Sequence, residues 1–285
     1  MAGLAETTIK PCMEISLIIP TYNRCSLLKR ALNSVFKQSR KPDEIIVVDD
    51  GSIDNTAEML ADEFPLVRVI RQSNKGVSAA RNAGIQQAKS DWIALLDSDD
   101  TWQAEKLATQ FLALQRSADT KICHTEEIWI RKGVRVNAMH KHKKAGGWIF
   151  KQCLPLCAMS PSSIIIHRSV FDDVGLFDES LPACEDYDLW LRISAKYPVL
   201  FIEQQLIKKY GGHEDQLSHK YWGMDRFRIQ TLEKIISQGE LSEENKQDAI
   251  QMLLKKARIF SSGALKRGNN ESAQYYQQLL DKYQT

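Results

Sequence analysis

The sequence predicts an α/β protein: a mostly parallel sheet flanked by helices, followed by a C-terminal helical appendage. Three observations predict it. Through the first hundred residues, short apolar β-branched runs alternate with amphipathic segments, the pattern of βαβ units around a sheet covered on both faces. The runs end in polar, acidic loops. After residue 219 the pattern becomes almost wholly helical.

The elements follow in order. Residues 15–19 read as a first buried strand, stopped by Pro20. Residues 24–38 place Leu27, Leu28, Ala31, Leu32, Val35 and Phe36 on one helical face. A second strand over 44–48 runs into Asp49-Asp50-Gly51-Ser52. A helix over about 54–64, a third strand near 67–70 and a helix over about 76–89 come next. The fourth strand, 92–96, leads straight into Asp97-Ser98-Asp99-Asp100. Past residue 118 the pattern loosens, with strands near 121–130 and 162–167. A helix over 185–197 carries Leu189, Trp190 and Ile193 and stops at Pro198. Helices over 224–237, 242–260 and 270–283 are separated by Gly239 and Gly268-Asn269-Asn270. Ser242, Asn245, Glu243 and Glu244 suit a helix start. The expected organisation is a tail (1–13), a main domain (14–219, with halves 14–117 and 118–219) and the appendage (220–285). The appendage either packs on the main domain or dimerises it.

Composition narrows the class. A chain of 285 residues with 43% apolar and 26% charged residues buries a substantial core without staples. A net charge of +2 gives no reason to expect nucleic acid as a partner. Cys12, Cys25, Cys123, Cys153, Cys157 and Cys184 show no C-x-x-C pair and read as free thiols of a reducing compartment. The first thirteen residues do not resemble a signal peptide, and no stretch approaches the roughly 18–20 apolar residues of a membrane span. A cytoplasmic protein, at most peripheral at the inner face of a membrane, is expected. One asymmetry stands out: residues 128–171 contain no Asp or Glu but include Arg131, Lys132, Arg135, Lys141, Lys143, Lys144, Lys151 and Arg168. That stretch is either a solvated hairpin or a basic cover over a diphosphate or a phosphorylated or lipid-linked acceptor.

In parallel sheets the ligand binds beyond the carboxyl ends of the strands. Those ends carry Thr21-Tyr22-Asn23, Asp49 to Ser52 and Asp97 to Asp100. Capping turns account for any one of these loops, but not readily for five carboxylates on two adjacent strand ends. Asp97, Asp99 and Asp100 would repel one another and favour protonation. A bound Mg²⁺ or Mn²⁺ removes that penalty, takes oxygen ligands and keeps positions open for phosphate oxygens. A diphosphate substrate fits such a site.

Four motifs then occur in order: Pro20-Thr21-Tyr22-Asn23-Arg24; Val47-Val48-Asp49-Asp50-Gly51-Ser52; Asn74-Lys75-Gly76 with Ala80-Arg81-Asn82-Ala83-Gly84; and Leu96-Asp97-Ser98-Asp99-Asp100. Together they resemble the motifs of family 2 glycosyltransferases, inverting enzymes with the GT-A fold, over residues 14–215. The resemblance implies a base pocket lined by Pro20, Thr21 and Tyr22, with Tyr22 stacking near the base and Asp50 bonding a uracil or thymine ring. It places Lys75, Arg81, Asp97 and Ser98 in the nucleotide site as well. Asp99 would contact ribose and the metal, Asp100 the metal, and Asp97 would support the pair. Downstream, Gly175-Leu176-Phe177-Asp178-Glu179 and Cys184-Glu185-Asp186-Tyr187-Asp188 continue the resemblance, which makes Asp186 the general base. Inversion does need one carboxylate to take the acceptor hydroxyl's proton, although Glu185 and Asp186 also suit a helix start. His213 is either a closing metal ligand or an exposed loop histidine. His140-Lys141-His142 belongs with the basic stretch rather than with a metal site.

The expected activity is metal-dependent transfer of a hexose or aminohexose from a UDP- or dTDP-sugar to a hydroxyl of a glycan or lipid-linked acceptor, in surface glycan biosynthesis. Two rivals remain. A sugar nucleotidyltransferase would want a Gly-rich loop after the first strand, where this chain has Pro20-Thr21-Tyr22-Asn23-Arg24. A non-catalytic nucleotide-sugar-binding protein could do without Asp186.

Overall fold

The structure, a computed structural model, describes residues 13–117, 119–137, 142–212, 221 and 223–284. The first half runs β1 (Ile15–Thr21), α1 (Cys25–Val35), β2 (Glu44–Asp49), α2 (Thr56–Glu63), β3 (Arg68–Arg71), α3 (Val77–Gln87) and β4 (Trp92–Leu95). The second runs β5 (Thr101–Trp102), α4 (Lys106–Arg116), β6 (Ile122–Arg131), β7 (Val134–Val136), α5 (Phe150–Cys153), β8 (Ile165–His167), α6 (Arg168–Val174), α7 (Glu185–Lys196) and β9 (Leu200–Gly211). Three helices follow: α8 (Asp225–Gln238), α9 (Glu243–Lys266) and α10 (Asn270–Tyr283).

The strands form one sheet in the order β3-β2-β1-β4-β8-β6-β9-β5, with β7 beside β6. Pairing is parallel from β3 to β4. Beyond β4 it is mixed: β8 lies antiparallel to β4 and β6, β9 parallel to β6, and β5 antiparallel to β9. Uninterrupted parallel pairing is therefore confined to the four strands of the first half.

Alternation of side chains builds two cores. Ile15, Leu17 and Ile19 of β1 meet Leu28 and Leu32 of α1 and Leu60 of α2 on one face. On the other, Ile18, Ile46 and Val48 meet Ala80 and Ile85 of α3. Gly84 sets how closely α3 lies on the sheet, since a Cβ there would come within 2.5 Å of Ile18 Cγ2. That second core extends through Trp190 of α7 to Leu232 of α8, Leu253 of α9 and Leu280 of α10, so the C-terminal helices pack on the main unit. Lys234 of α8 bridges Asp178 at 2.6 Å and Asp188 at 3.0 Å, and Lys256 of α9 donates to the Pro155 carbonyl at 2.9 Å.

Several boundaries differ from expectation. Pro20 does not stop β1, which continues to Thr21. Pairing with β4 involves only Ile15 to Ile18, so the missing N–H of Pro20 interrupts no ladder. The strand expected from residue 162 begins at Ile165, after a 3₁₀ turn over Pro161–Ser163. The middle C-terminal helix runs on to Lys266. The sequence pattern left α4, α5, α6, β5, β7 and β9 unread. In β9 the polar run Glu203, Gln204 and Gln205 is exposed and hides the strand period. The acid-free stretch divides by role. Lys144 pairs with buried Glu127 at 3.2 Å, Lys151 with Asp248 at 2.9 Å, and Arg168 caps the carbonyls of Ile85, Ala88 and Ser90. Arg131, Lys132 and Arg135 are exposed around the β6–β7 hairpin. Among the described residues, Cys25, Cys123, Cys153, Cys157 and Cys184 are free thiols, and no helix is long and apolar enough to cross a membrane.

Candidate active site

Strand order reverses at β1, with β2 on one side and β4 on the other, and such a reversal opens a crevice at the strand ends. The acidic ends of β2 and β4 are therefore not adjacent, as expected, but face each other across Thr21 and Tyr22. A cleft of about 860 Å³ lies there, lined by residues from the ends of β1, β2, β4 and β9 and the starts of α3 and α7.

The floor is cross-braced. Asn23, in the left-handed region at φ 51°, donates its backbone N–H to Ser52 Oγ at 2.9 Å, and its Oδ1 accepts from the Ile53 N–H at 2.8 Å. Asp50 is buried. Its Oδ1 accepts from the Lys75 N–H at 2.9 Å and from Gln72 Nε2 at 2.8 Å, and its Oδ2 from the Gly76 N–H at 2.8 Å. Asp50 thus fixes the loop that opens α3. Lys75 contributes that N–H, while its exposed side chain is not part of the cleft wall. Tyr22 lines the cleft with its residue 44% exposed, which leaves surface for a planar ligand. Buried Thr21 has an Oγ1 without a partner among the described residues.

The turn over 97–100 is closed by the Asp100 N–H donating to the Asp97 carbonyl at 3.0 Å. Each acid then meets a different element. Asp97 Oδ1 accepts from Arg81 Nη2 of α3 at 2.7 Å, and Asp99 Oδ2 from Arg24 Nη1 at 3.1 Å. Asp100 Oδ2 accepts from Ser162 Oγ at 2.6 Å and Oδ1 from the Tyr210 N–H at 3.0 Å. Ser98, between them in the chain, is buried. Burial, then the charge of Asp99, pushes the Asp100 carboxyl well above the usual range, against the pull of Lys209.

Arg81 joins the two acidic motifs. Only 3% exposed, it donates through Nη2 to Asp97 and through Nη1 to Glu185 Oε1, both at 2.7 Å. Neighbouring Asn82 donates to the Phe177 carbonyl at 2.9 Å and accepts the Phe177 N–H at 3.0 Å, seating the Gly-Leu-Phe-Asp-Glu segment. Cys184, at φ 64°, turns the chain into α7, whose first two residues are Glu185 and Asp186. Burial and the adjacent Asp186 raise the Glu185 carboxyl, opposed by Arg81. Asp186 is half-buried. Its Oδ1 accepts from the Tyr187 N–H at 2.7 Å and its Oδ2 from the Cys157 thiol at 3.0 Å.

Of the residues singled out from the sequence, Pro20, Thr21, Tyr22, Asp50, Arg81, Asp97, Ser98, Asp99, Asp100 and Asp186 line this one cleft, and Lys75 does not. His213 lies outside the described residues, as do His140 and Lys141. The pattern missed Lys209 and Tyr210 at the end of β9, which also line the cleft, and it missed Ser162 and Cys157, which do not line it but donate to Asp100 and Asp186. The one available signal for the β9 pair was the apolar Leu206-Ile207 running into Lys208-Lys209-Tyr210.

Comparisons with known proteins bear on the family and the fold. The profile of Glycosyl transferase family 2 matches residues 16–175. An uncharacterized glycosyltransferase of Rickettsia conorii is 33% identical over 216 residues, which cover 72% of this chain and 35% of that protein. The uncharacterized glycosyltransferase YwdF of Bacillus subtilis is 32% identical over 192 residues, 66% of this chain and 70% of YwdF. The chain spans about a third of the length of the Rickettsia felis and R. conorii relatives it matches. Among solved structures, S. aureus TarS 1-349 in complex with UDP-GlcNAc superposes with a TM-score of 0.68 at 20% identity, covering 87% of this chain and 73% of that one. The fold is that of the GT-A glycosyltransferases, and the chain belongs to glycosyl transferase family 2.

Proposed function

We propose that this chain transfers a sugar, with inversion, from a UDP-type nucleotide sugar to a hydroxyl of a glycan or lipid-linked acceptor. One observation carries the assignment: the turn over 97–100 and Asp186 line the same cleft, with Arg81 bridging Asp97 to Glu185, the residue before Asp186. The UDP preference is supported by TarS, solved in complex with UDP-GlcNAc and with UDP. Tyr22 offers a ring face to the base, and Thr21 Oγ1 an unused polar group at the pocket floor. Asp186 accepts the proton of the attacking hydroxyl. The new bond forms at the anomeric carbon as the bond to the diphosphate breaks on the opposite side.

Mg²⁺ or Mn²⁺ suits the donor set: hard carboxylate oxygens, one of them on Asp100, where burial and like charge already favour neutralisation. Asp99 and Asp100 would hold the cation, which when bound stabilises charge on the leaving diphosphate. Among the described residues no three acidic, His or Cys side chains converge as a ready-made metal shell, so the diphosphate oxygens would supply part of the coordination.

The test is a thermal-shift panel of nucleoside diphosphates and UDP-sugars with and without Mn²⁺. UDP with Mn²⁺ should raise the melting temperature of the wild type and of Asp186→Asn, and raise that of Asp100→Asn less. No stabilisation by any nucleotide would overturn the assignment. Stabilisation without turnover of any donor would favour a binding protein.

A further inference from the structure

Cys157 stands apart from the donor site, yet its Sγ lies 3.0 Å from Asp186 Oδ2 and 3.0 Å from the Met159 carbonyl. It does not line the cleft. Burial, reinforced by the neighbouring Asp186, keeps it a thiol rather than a thiolate. A neutral S–H beside a carboxylate can only donate. We propose that Cys157 is a positioning residue for the reaction: its thiol fixes the orientation of Asp186, and Ser162, five residues on, fixes Asp100 in the same way. The proposal rests on Asp186 being the general base.

Three features carry it. First, the Asp186 carboxylate is clamped from two directions. The Tyr187 N–H holds Oδ1 and the Cys157 thiol holds Oδ2, so the carboxylate plane is set before any acceptor arrives. Second, the single thiol proton has two acceptors at equal distance. An ionised carboxylate is the stronger acceptor. Once Asp186 has taken the acceptor's proton, the thiol can turn to the Met159 carbonyl and keep a partner. No bond to sulfur forms or breaks. Third, the same short segment reaches the donor side. Ser162 Oγ donates to Asp100 Oδ2 at 2.6 Å and accepts from the Asp97 N–H at 3.1 Å, while Ser160 Oγ accepts from Lys209 Nζ at 3.1 Å. Six residues therefore hold the spacing between the proton acceptor and the diphosphate grip. The C-terminal helices steady that segment through Lys256 at the Pro155 carbonyl.

The experiment compares wild type, Cys157→Ala, Cys157→Ser, Asp186→Asn and Asp186→Ala. Release of UDP from UDP-GlcNAc, with water as the acceptor and Mn²⁺ present, gives kcat and KM. Infrared spectra record the thiol S–H stretch, with Cys157 isolated by subtracting the Cys157→Ala spectrum. Losing one hydrogen bond to the base should lower kcat roughly five- to tenfold with the donor KM unchanged, and Cys157→Ser should restore most of it. The Cys157 S–H band should sit at low frequency in wild type and move up in Asp186→Ala. An unshifted band, or wild-type kcat in Cys157→Ala alongside an inactive Asp186→Asn, would overturn the role of Cys157. A fully active Asp186→Asn would instead overturn the general-base assignment, leaving the infrared result to decide the contact alone.

Discussion

Replacing Arg81 with methionine is the sharpest test of how this site is held together. Arg81 is buried and donates two 2.7 Å charged hydrogen bonds, to Asp97 and Glu185. The two halves differ in weight. The Glu185 side chain is 6% exposed, whereas that of Asp97 is 25% exposed and recovers part of its loss from water. Breaking a buried pair from one side typically costs about 3–5 kcal/mol, because the partner charge is stranded. With one partner partly solvated, Arg81→Met should lose about 3 kcal/mol, read as a lower urea midpoint at unchanged slope. The loss should also depend on pH. Without Arg81, burial and Asp186 both push the Glu185 carboxyl above its ordinary 4.5. An acid whose folded pKa is raised destabilises fully above that pKa and progressively less as pH falls through it. The gap between wild type and variant should therefore narrow from pH 8 to pH 5, and Glu185→Gln in the variant should recover part of it at neutral pH. A loss under about 1 kcal/mol that is flat with pH would refute this account. If Arg81 served the nucleotide instead, the variant would lose UDP affinity and keep its urea midpoint.

Tyr22→Ala should weaken UDP binding roughly tenfold by calorimetry, the scale of one base-stacking contact, with little change in melting temperature because the ring is half-exposed. Gly84→Ala gains about 1 kcal/mol of helix propensity but drives a methyl to 2.5 Å from fully buried Ile18, an overpacking of about 1–3 kcal/mol. A net lower melting temperature is expected, and a higher one would refute the close packing of α3. Lys106 is fully buried, with its Nζ 2.6 Å from Gln110 Oε1 and 4.1 Å from the Trp102 ring, and burial pulls its pKa from 10.5 to about 7. Its charge weighs on the folded state at all pH values below 7, and the burden lifts as pH rises from 7 toward 10.5. The urea midpoint should climb between pH 7 and 9 in wild type and lose that slope in Lys106→Met.

What was legible in the sequence follows from what local pattern can report. β1, β2 and β4 are buried on both faces, so they appear as near-continuous apolar runs, and the loops at their ends, Thr21 to Arg24, Asp49 to Ser52 and Asp97 to Asp100, follow directly. The second half resists because its order depends on distant partners. Tyr210 reaches Asp100 across 110 residues, and Arg81 reaches Glu185 across 104. Bulges between Thr125 and Glu127 further blur the period of the β6–β9 pair. Motif resemblance pointed to Arg81 without revealing that both of its terminal nitrogens serve protein carboxylates. Asp50 likewise holds the loop at Lys75 and Gly76 whatever else it contacts.

The second core has a consequence for folding. It runs without interruption from Ile18 in the first strand to Leu280 in the last helix, while Met224, beside α8, lines the cleft. Amide hydrogens of β1 and α10 should accordingly exchange through one global opening rather than through separate local ones. Cleft shape and C-terminal helix packing are then a single cooperative property. A lesion near residue 280 would therefore lower the stability that the cleft wall at Met224 and the first strand share.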